Sequence, residues 1–314
     1  MSMLLAMKAD DAALNQALPV AIASNEVEKA RVLLARDADA SLLCNEFLKA
    51  VDTGSDEMVD ALTGKMKGSC QSCRDKGLVR AATSEQKNKV SKLLQKGADR
   101  NFDGAAALIA SINGDWGDIA VDIVSHKGMS LHRDLLDWAV GAAYAKAQYQ
   151  TLEACLLAGA HGPRTDMTLV KAVEHGQCDI AATLVRWGAS VECQSGAPVV
   201  LATKRGEARM LLAVLHGKPS NSAMASAISQ IVTLGDIGIA YQMIELLLSA
   251  GLRGDAVSET LIQILDTKLL KGDENARCGL SCLLLEKGGA VELLSQSVGP
   301  TAINRALRDV LEHS

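Results

Sequence analysis

Cysteine and histidine are the residues of this chain best suited to chemistry, and their spacing decides what they can do. The cysteines are Cys44, Cys70, Cys73, Cys155, Cys178, Cys193, Cys278 and Cys282. Cys70-x-x-Cys73 has the spacing of half a zinc site, but zinc takes four ligands, commonly from two such pairs. The second pair, Cys278 and Cys282, stands about 200 residues further on at helical i, i+4 spacing. The alternatives are zinc ligation and ordinary loop or core thiols. The separation favours the thiols, so no metal is expected. Scattered cysteines in a chain of 314 residues are expected to be free thiols in a reducing compartment. The histidines, His126, His132, His161, His175, His216 and His313, form no H-x-x-x-H or H-E-x-x-H arrangement. TGKM at 63–66 and HGKPS at 216–220 are fragments of a phosphate-loop pattern without a preceding strand, and G-x-S-x-G is absent. The sequence therefore predicts no enzyme, no cofactor and no small-molecule substrate.

The elements around these residues come from a repeated phrase. It reads LLARDADA at 33–40, LLQKGADRN at 93–101, LLAGAHG at 156–162 and LVRWGASVE at 184–192. Echoes follow at 214–218, 246–252 and 283–290. Its second apolar residue recurs at Leu34, Leu62, Leu94, Val124, Leu156, Val185, Val214, Leu248 and Leu285, every 28 to 37 residues. A phrase returning at that period marks a stack of similar supersecondary modules. The clearest repeat contains TLVKAVEHG at 168–176, then QCDIAATLVRWG at 177–188. Leu169, Ala172 and Val173 have helical i, i+3, i+4 spacing, as do Ile180, Ala181, Leu184 and Val185. Gly176 separates the two helices, and Gly188 takes the left-handed conformation after the second.

The phrases LVKAVEHG and LVRWGASV, with GADRN at 97–101, resemble the ankyrin-repeat family, whose second half reads V-x-x-L-L-x-x-G-A-x-x-N. The resemblance covers roughly residues 10–290 and is similar in style to long fungal ankyrin arrays. It implies an all-α, ankyrin-like helical-repeat solenoid of about nine helix pairs in a single domain over 1–314. The repeats fall near 10–40, 41–70, 71–102, 103–130, 131–163, 164–193, 194–219, 220–253 and 254–288, with a C-terminal cap at 299–312. The family's T-P-L-H tetrapeptide is nowhere intact, and GAPVV at 196–200 keeps only its Pro. Loops are expected in place of β-fingers. Extra residues between helices are expected at 141–150, 233–242 and 267–279.

In this family, partners dock on the concave face formed by the first helices and loops. Mapped onto this chain, that face carries Lys49, Asp52, Thr53, Arg80, Ile109, Ile112, Asn113, Trp138, Lys171, Glu174, His175, Lys204 and Arg205. Apolar residues within a polar rim have the pattern of an interface hot spot. Trp138 has a second reading as core packing, because LLDWAV is itself strongly apolar.

Charge adds a further constraint. Residues 65–100 hold ten basic residues against three acidic, in a chain of net charge −5. The alternatives are a solvated outer helix face and an electropositive patch for an acidic partner or anionic surface. Nucleic-acid readout is disfavoured because no stacking aromatics interleave these charges. No stretch reaches the roughly 20 apolar residues of a membrane span, and MSMLLAMKADD is too short in its apolar run for a signal peptide. The expected function is a non-catalytic scaffold binding another protein, cytoplasmic or nuclear. The alternative is a secreted pathogen effector or inhibitory module that regulates a target enzyme in a host cytosol.

Overall fold

The computed structural model describes residues 11–36, 44–65, 70–234 and 236–266. Among these, seventeen α-helices and one short 3₁₀ turn alternate with tight turns, and no strand occurs. The proposed cap at 299–312, the insertion at 267–279, and Cys278 and Cys282 lie outside the described residues. The chain divides into two compact parts, Met1–Ala160 and His161–Ser314.

The first part holds five helix pairs. They are α1 (Asp11–Ala23) with α2 (Val27–Ala35), α3 (Cys44–Thr53) with α4 (Asp56–Lys65), and α5 (Gln71–Thr83) with α6 (Lys87–Gln95). Then come α7 (Phe102–Asn113) with α8 (Gly117–Ser125), and α9 (Arg133–Ala145) with α10 (Tyr149–Leu157). The first helices pack in the order α1, α3, α5, α7, α9, and the second helices in the order α2, α4, α6, α8, α10. The core lies between these two layers. Phe47, Leu62, Leu78, Leu93, Leu108, Ile112, Ile119 and Leu156 are all fully buried there. Gly77 on α5 makes room for Phe47, whose ring edge lies 2.9 Å from where a Cβ would stand.

The second part continues the pattern. Its pairs are α11 (Pro163–Glu174) with α12 (Cys178–Arg186), and α13 (Cys193–Arg205) with α14 (Ala208–Leu215). After these, α15 (Asn221–Ile228) leads through the 3₁₀ turn Ile231–Thr233 to α16 (Ile237–Ser249), and α17 (Asp255–Asp266) follows. Helices α11, α13, α15 and α17 form one layer, and α12, α14 and α16 the other. This is a helical-repeat stack, all-α among the described residues.

The repeated phrase now has a mechanical explanation. At the end of the second helices, Gly97, Gly159, Gly188 and Gly251 have φ between +83° and +108°, which favours glycine. The residue after each glycine donates its amide back to the carbonyl five positions earlier. The pairs are Ala98 to Leu93, Ala160 to Cys155, Ala189 to Leu184 and Leu252 to Leu247, at 3.0–3.1 Å. Those residues are buried, which gives the apolar contact that accompanies a Schellman stop. The turn between first and second helices uses the same geometry. Glu26, Gln86, Trp116, Gln148 and Gln177 donate to Ala21, Ala81, Ser111, Ala143 and Ala172 at 2.8–2.9 Å. Gly176 serves this turn at φ +73°, whereas Asn25, Glu85, Asp115 and Ala147 accept a left-handed conformation without being glycine.

Two features depart from the sequence reading. The extra length assigned to 141–150 does not separate helices: α9 runs to Ala145 and an ordinary turn follows. The long connection in that repeat is instead 126–132, before α9. Likewise 233–242 is mostly the start of α16, preceded by the 3₁₀ turn. Where the eroded tetrapeptide would open a first helix, α7 and α13 begin with three left-handed residues each. These are Asp103, Gly104 and Ala105 in α7, and Gln194, Ser195 and Gly196 in α13. Pro198 then falls in the first regular turn of α13, where a missing amide costs little.

Candidate functional site

The first-helix face of the N-terminal part is built from residues that alternate with the core positions of α1, α3, α5, α7 and α9. Between α1 and α3 this face opens into a groove of about 660 Å³. Pro19, Val20 and Ala23 line one wall, and Glu46, Lys49, Ala50 and Thr53 the other. Val20 is 64 % exposed, leaving apolar surface open beside the groove. Lys49, Asp52 and Thr53, placed outward by the sequence pattern, stand on its rim.

The remaining candidates are distributed as follows. Arg80 is exposed and pairs with Asp52 of the preceding repeat, Nη1 to Oδ2 at 2.6 Å. Ile109 and Trp138 are half-buried, so Trp138 is neither an open anchor nor a fully buried core residue. Ile112 is fully buried and leaves the surface set, because its side chain points between the helix layers. Asn113 is exposed, and its carbonyl accepts from Lys146 Nζ at 3.3 Å. In the second part, Lys171, Glu174, His175, Lys204 and Arg205 are exposed. Arg205, however, lies over Gly176, donates to the Glu174 carbonyl at 2.9 Å and pairs with Glu207 at 2.6 Å. Its contacts make it a clamp between repeats.

That clamp belongs to a series the sequence reading missed. A long polar side chain at the end of a first helix or the start of a second one reaches back to the C-terminal carbonyls of the preceding repeat's first helix. Gln86 donates to Asp52 O at 3.2 Å, Lys89 to Val51 O at 2.5 Å, and Gln148 to Ile112 O at 3.0 Å. Such carbonyls have no partner within their own helix, and cations there also meet the negative end of the helix dipole. Burial pushes the Lys89 amine below its ordinary value, with Asp56 and Asp52 opposing the shift. Within repeats, Asp75 accepts the Asp99 amide and Asp166 the Ser190 amide, both at 2.7 Å and both across 24 residues.

These contacts absorb much of the basic segment. Lys87 pairs with Asp118 at 3.0 Å and Asp122 at 3.8 Å, and Lys96 with Asp60 at 3.4 Å. Arg74 donates to the Lys96 carbonyl at 3.1 Å. Arg100 is buried and donates to the carbonyls of Ile123 (2.8 Å), Val124 (2.9 Å) and Met129. Helix α8 lacks a glycine stop, and this guanidinium takes its place. Six of the ten basic residues at 65–100 therefore bind repeat to repeat or helix to loop, while Arg80, Lys87 and Lys96 among them stay exposed as on a solvated face.

The cysteines also depart from expectation. Cys44 and Cys73 form a disulfide with Cα atoms 5.6 Å apart, so Cys73 is not a free thiol. Cys70, Cys155, Cys178 and Cys193 are outside disulfides. Burial pushes the Cys155 thiol up to about 12, and burial also raises Cys178 and Cys193. No group of three His, Cys, Asp or Glu that could hold a metal occurs among the described residues. No described helix is long and apolar enough to cross a membrane.

No family model and no curated protein matches the chain. Among solved structures it is similar to a circular tandem repeat protein with novel repeat topology and enhanced subunit contact surfaces. The identity is 12 %, over 96 % of this chain and 75 % of that one, with a TM-score of 0.21. At that score the superposition carries no argument about shape.

Proposed function

We propose that this chain is a non-catalytic, degenerate ankyrin-type scaffold that binds a partner protein on its first-helix face. The observation that carries the reading is the α1–α3 groove, with exposed Val20 between the polar residues Glu46, Lys49 and Thr53. A groove of this size takes one or two apolar side chains of a partner segment, and the rim selects its flanking charges. The two-helix repeats and their paired left-handed turns support the ankyrin assignment. Stacked repeats of this kind generally act as binding surfaces. The test compares proteins captured by the wild-type chain with those captured by Val20→Glu and Lys49→Glu variants of unchanged helicity. Loss of the same partner in both is expected, with Leu157→Glu on α10 as the control. Retention by the first two and loss by the control would place the interface on the other layer.

The Cys44–Cys73 disulfide favours a second reading, in which the chain works in an oxidising compartment as an exported regulatory module. The four cysteines outside disulfides accord with the cytoplasmic or nuclear reading. Trapping the thiols with an alkylating reagent at the moment of cell lysis distinguishes them. A bonded Cys44–Cys73 pair supports export, and alkylation of both supports a reducing location.

A further inference from the structure

Three cysteines stand at the starts of the adjacent helices α3 and α5, and only two can be bonded at once. Cys44 is the first residue of α3, and Cys73 lies in the first turn of α5 on the adjacent repeat. Cys70 immediately precedes α5, is 2 % exposed and is outside any disulfide. Cα atoms three residues apart on a helical turn lie about 5 Å apart, inside the roughly 4.4–6.8 Å that separates the Cα atoms of a disulfide. Cys73 therefore has two bonding partners in reach: Cys44 across the repeat boundary and Cys70 within its own repeat.

We propose that Cys44, Cys70 and Cys73 form a thiol–disulfide exchange site that switches a covalent link between two repeats to one within a single repeat. The Cys70 thiolate attacks Cys73 Sγ, forming the Cys70–Cys73 bond as the Cys44–Cys73 bond breaks. Cys44 leaves as a thiolate and takes up a proton in place of the one Cys70 released. The electrons stay within the three sulfurs, so the step needs no external oxidant or reductant. Its consequence is local. The opposite ends of α3 and α5 stay tied by Arg80 to Asp52 at 2.6 Å, and α3 is also held by Lys89 to the Val51 carbonyl. Exchange releases the N-terminal end of α3, one wall of the groove, while the fold persists. The exchange stands whether or not that groove binds a partner.

The experiment uses the full oxidised chain, acid-quenched and alkylated with N-ethylmaleimide under denaturing conditions, then digested with trypsin. Peptide 68–74 contains both Cys70 and Cys73, and peptide 37–49 contains Cys44. The resident bond gives 68–74 cross-linked to 37–49 with Cys70 alkylated. The exchanged bond gives 68–74 lighter by two hydrogens with Cys44 alkylated. Both species are expected in the wild type, interconverting faster at higher pH because the thiolate is the attacking form. Cys70→Ser should give only the cross-linked peptide. Cys44→Ser, oxidised with glutathione disulfide, should give only the internal bond. A wild type showing the cross-linked species alone between pH 7 and 9 would overturn the proposal. So would a Cys44→Ser chain in which Cys70 and Cys73 stay unlinked.

Discussion

Replacing Arg100 with methionine tests the clamp logic most directly. The side chain is 6 % exposed, and its guanidinium donates to three carbonyls at the end of α8 and in the loop that follows. Methionine keeps most of the apolar stem and removes the donors. Hydrogen bonds from a charged donor contribute about 1.5–3 kcal/mol each, and a buried carbonyl left unmet costs about 1–3 kcal/mol. Ile123 and Val124 are buried, so water cannot readily replace the donor at their carbonyls. The opposing effect is relief of desolvation, which in the folded chain pushes the Arg100 pKa below its ordinary value. The net loss is about 2–4 kcal/mol. In a repeat stack the loss should be concentrated near its origin, so hydrogen exchange is the appropriate assay. A loss of about 3 kcal/mol lowers protection roughly a hundredfold. The expected drop falls on α8, with α12 and α14 unchanged. A change under about threefold in α8, or an equal loss in every helix, would refute the reasoning, since 1.4 kcal/mol corresponds to tenfold.

Two further substitutions probe the turns and the core. Gly188 and Gly64 both have open space where a Cβ would stand, but only Gly188 has positive φ, at +90°. Gly188→Ala should lower stability by about 1–2 kcal/mol. Gly64→Ala, inside α4, should raise it by about 0.5–1 kcal/mol. Urea midpoints moving in the same direction would remove the conformational explanation. Cys155 supplies the pH test: its thiol ionises near 9 when unfolded and is pushed up to about 12 when folded. The folded state binds that proton more tightly, so the contribution is complete below pH 9 and is lost as pH rises toward 12. The loss is up to about 1.4 kcal/mol per pH unit. The stability advantage of wild type over Cys155→Ala should shrink between pH 8 and 10, and parallel curves would contradict it.

The second helices were legible because their stop is chemically specific. Only glycine readily takes φ near +90°, so α12 ending at Arg186 could be read from Gly188. The first-helix face was less legible. Ile109 and Ile112 are one turn apart, and the sequence pattern placed both outward, whereas packing buries Ile112 completely. The clamps were hidden because glutamine, lysine and arginine look like ordinary surface residues until the neighbouring carbonyls are located. A signal did exist: Gln86, Gln148 and Gln177 each stand immediately before a second helix. Cys44 and Cys73 also carried one, being 29 residues apart, close to one repeat period. Periodicity places them side by side, but Cys70-x-x-Cys73 read instead as half a zinc site or free thiols.

The backward reach of Gln86, Lys89, Gln148 and Arg205 gives the chain a direction. The first helices α3, α7 and α11 each have carbonyls satisfied by a residue that follows in the sequence. On the ribosome, such a repeat emerges without those side-chain donors, which reach its carbonyls only when its successor is extruded. Maturation during synthesis therefore trails elongation by about one repeat. A chain interrupted just after α4, α8 or α12 ends in a module still waiting for its clasp, whereas removal of a preceding repeat leaves the clamp's polar atoms to water.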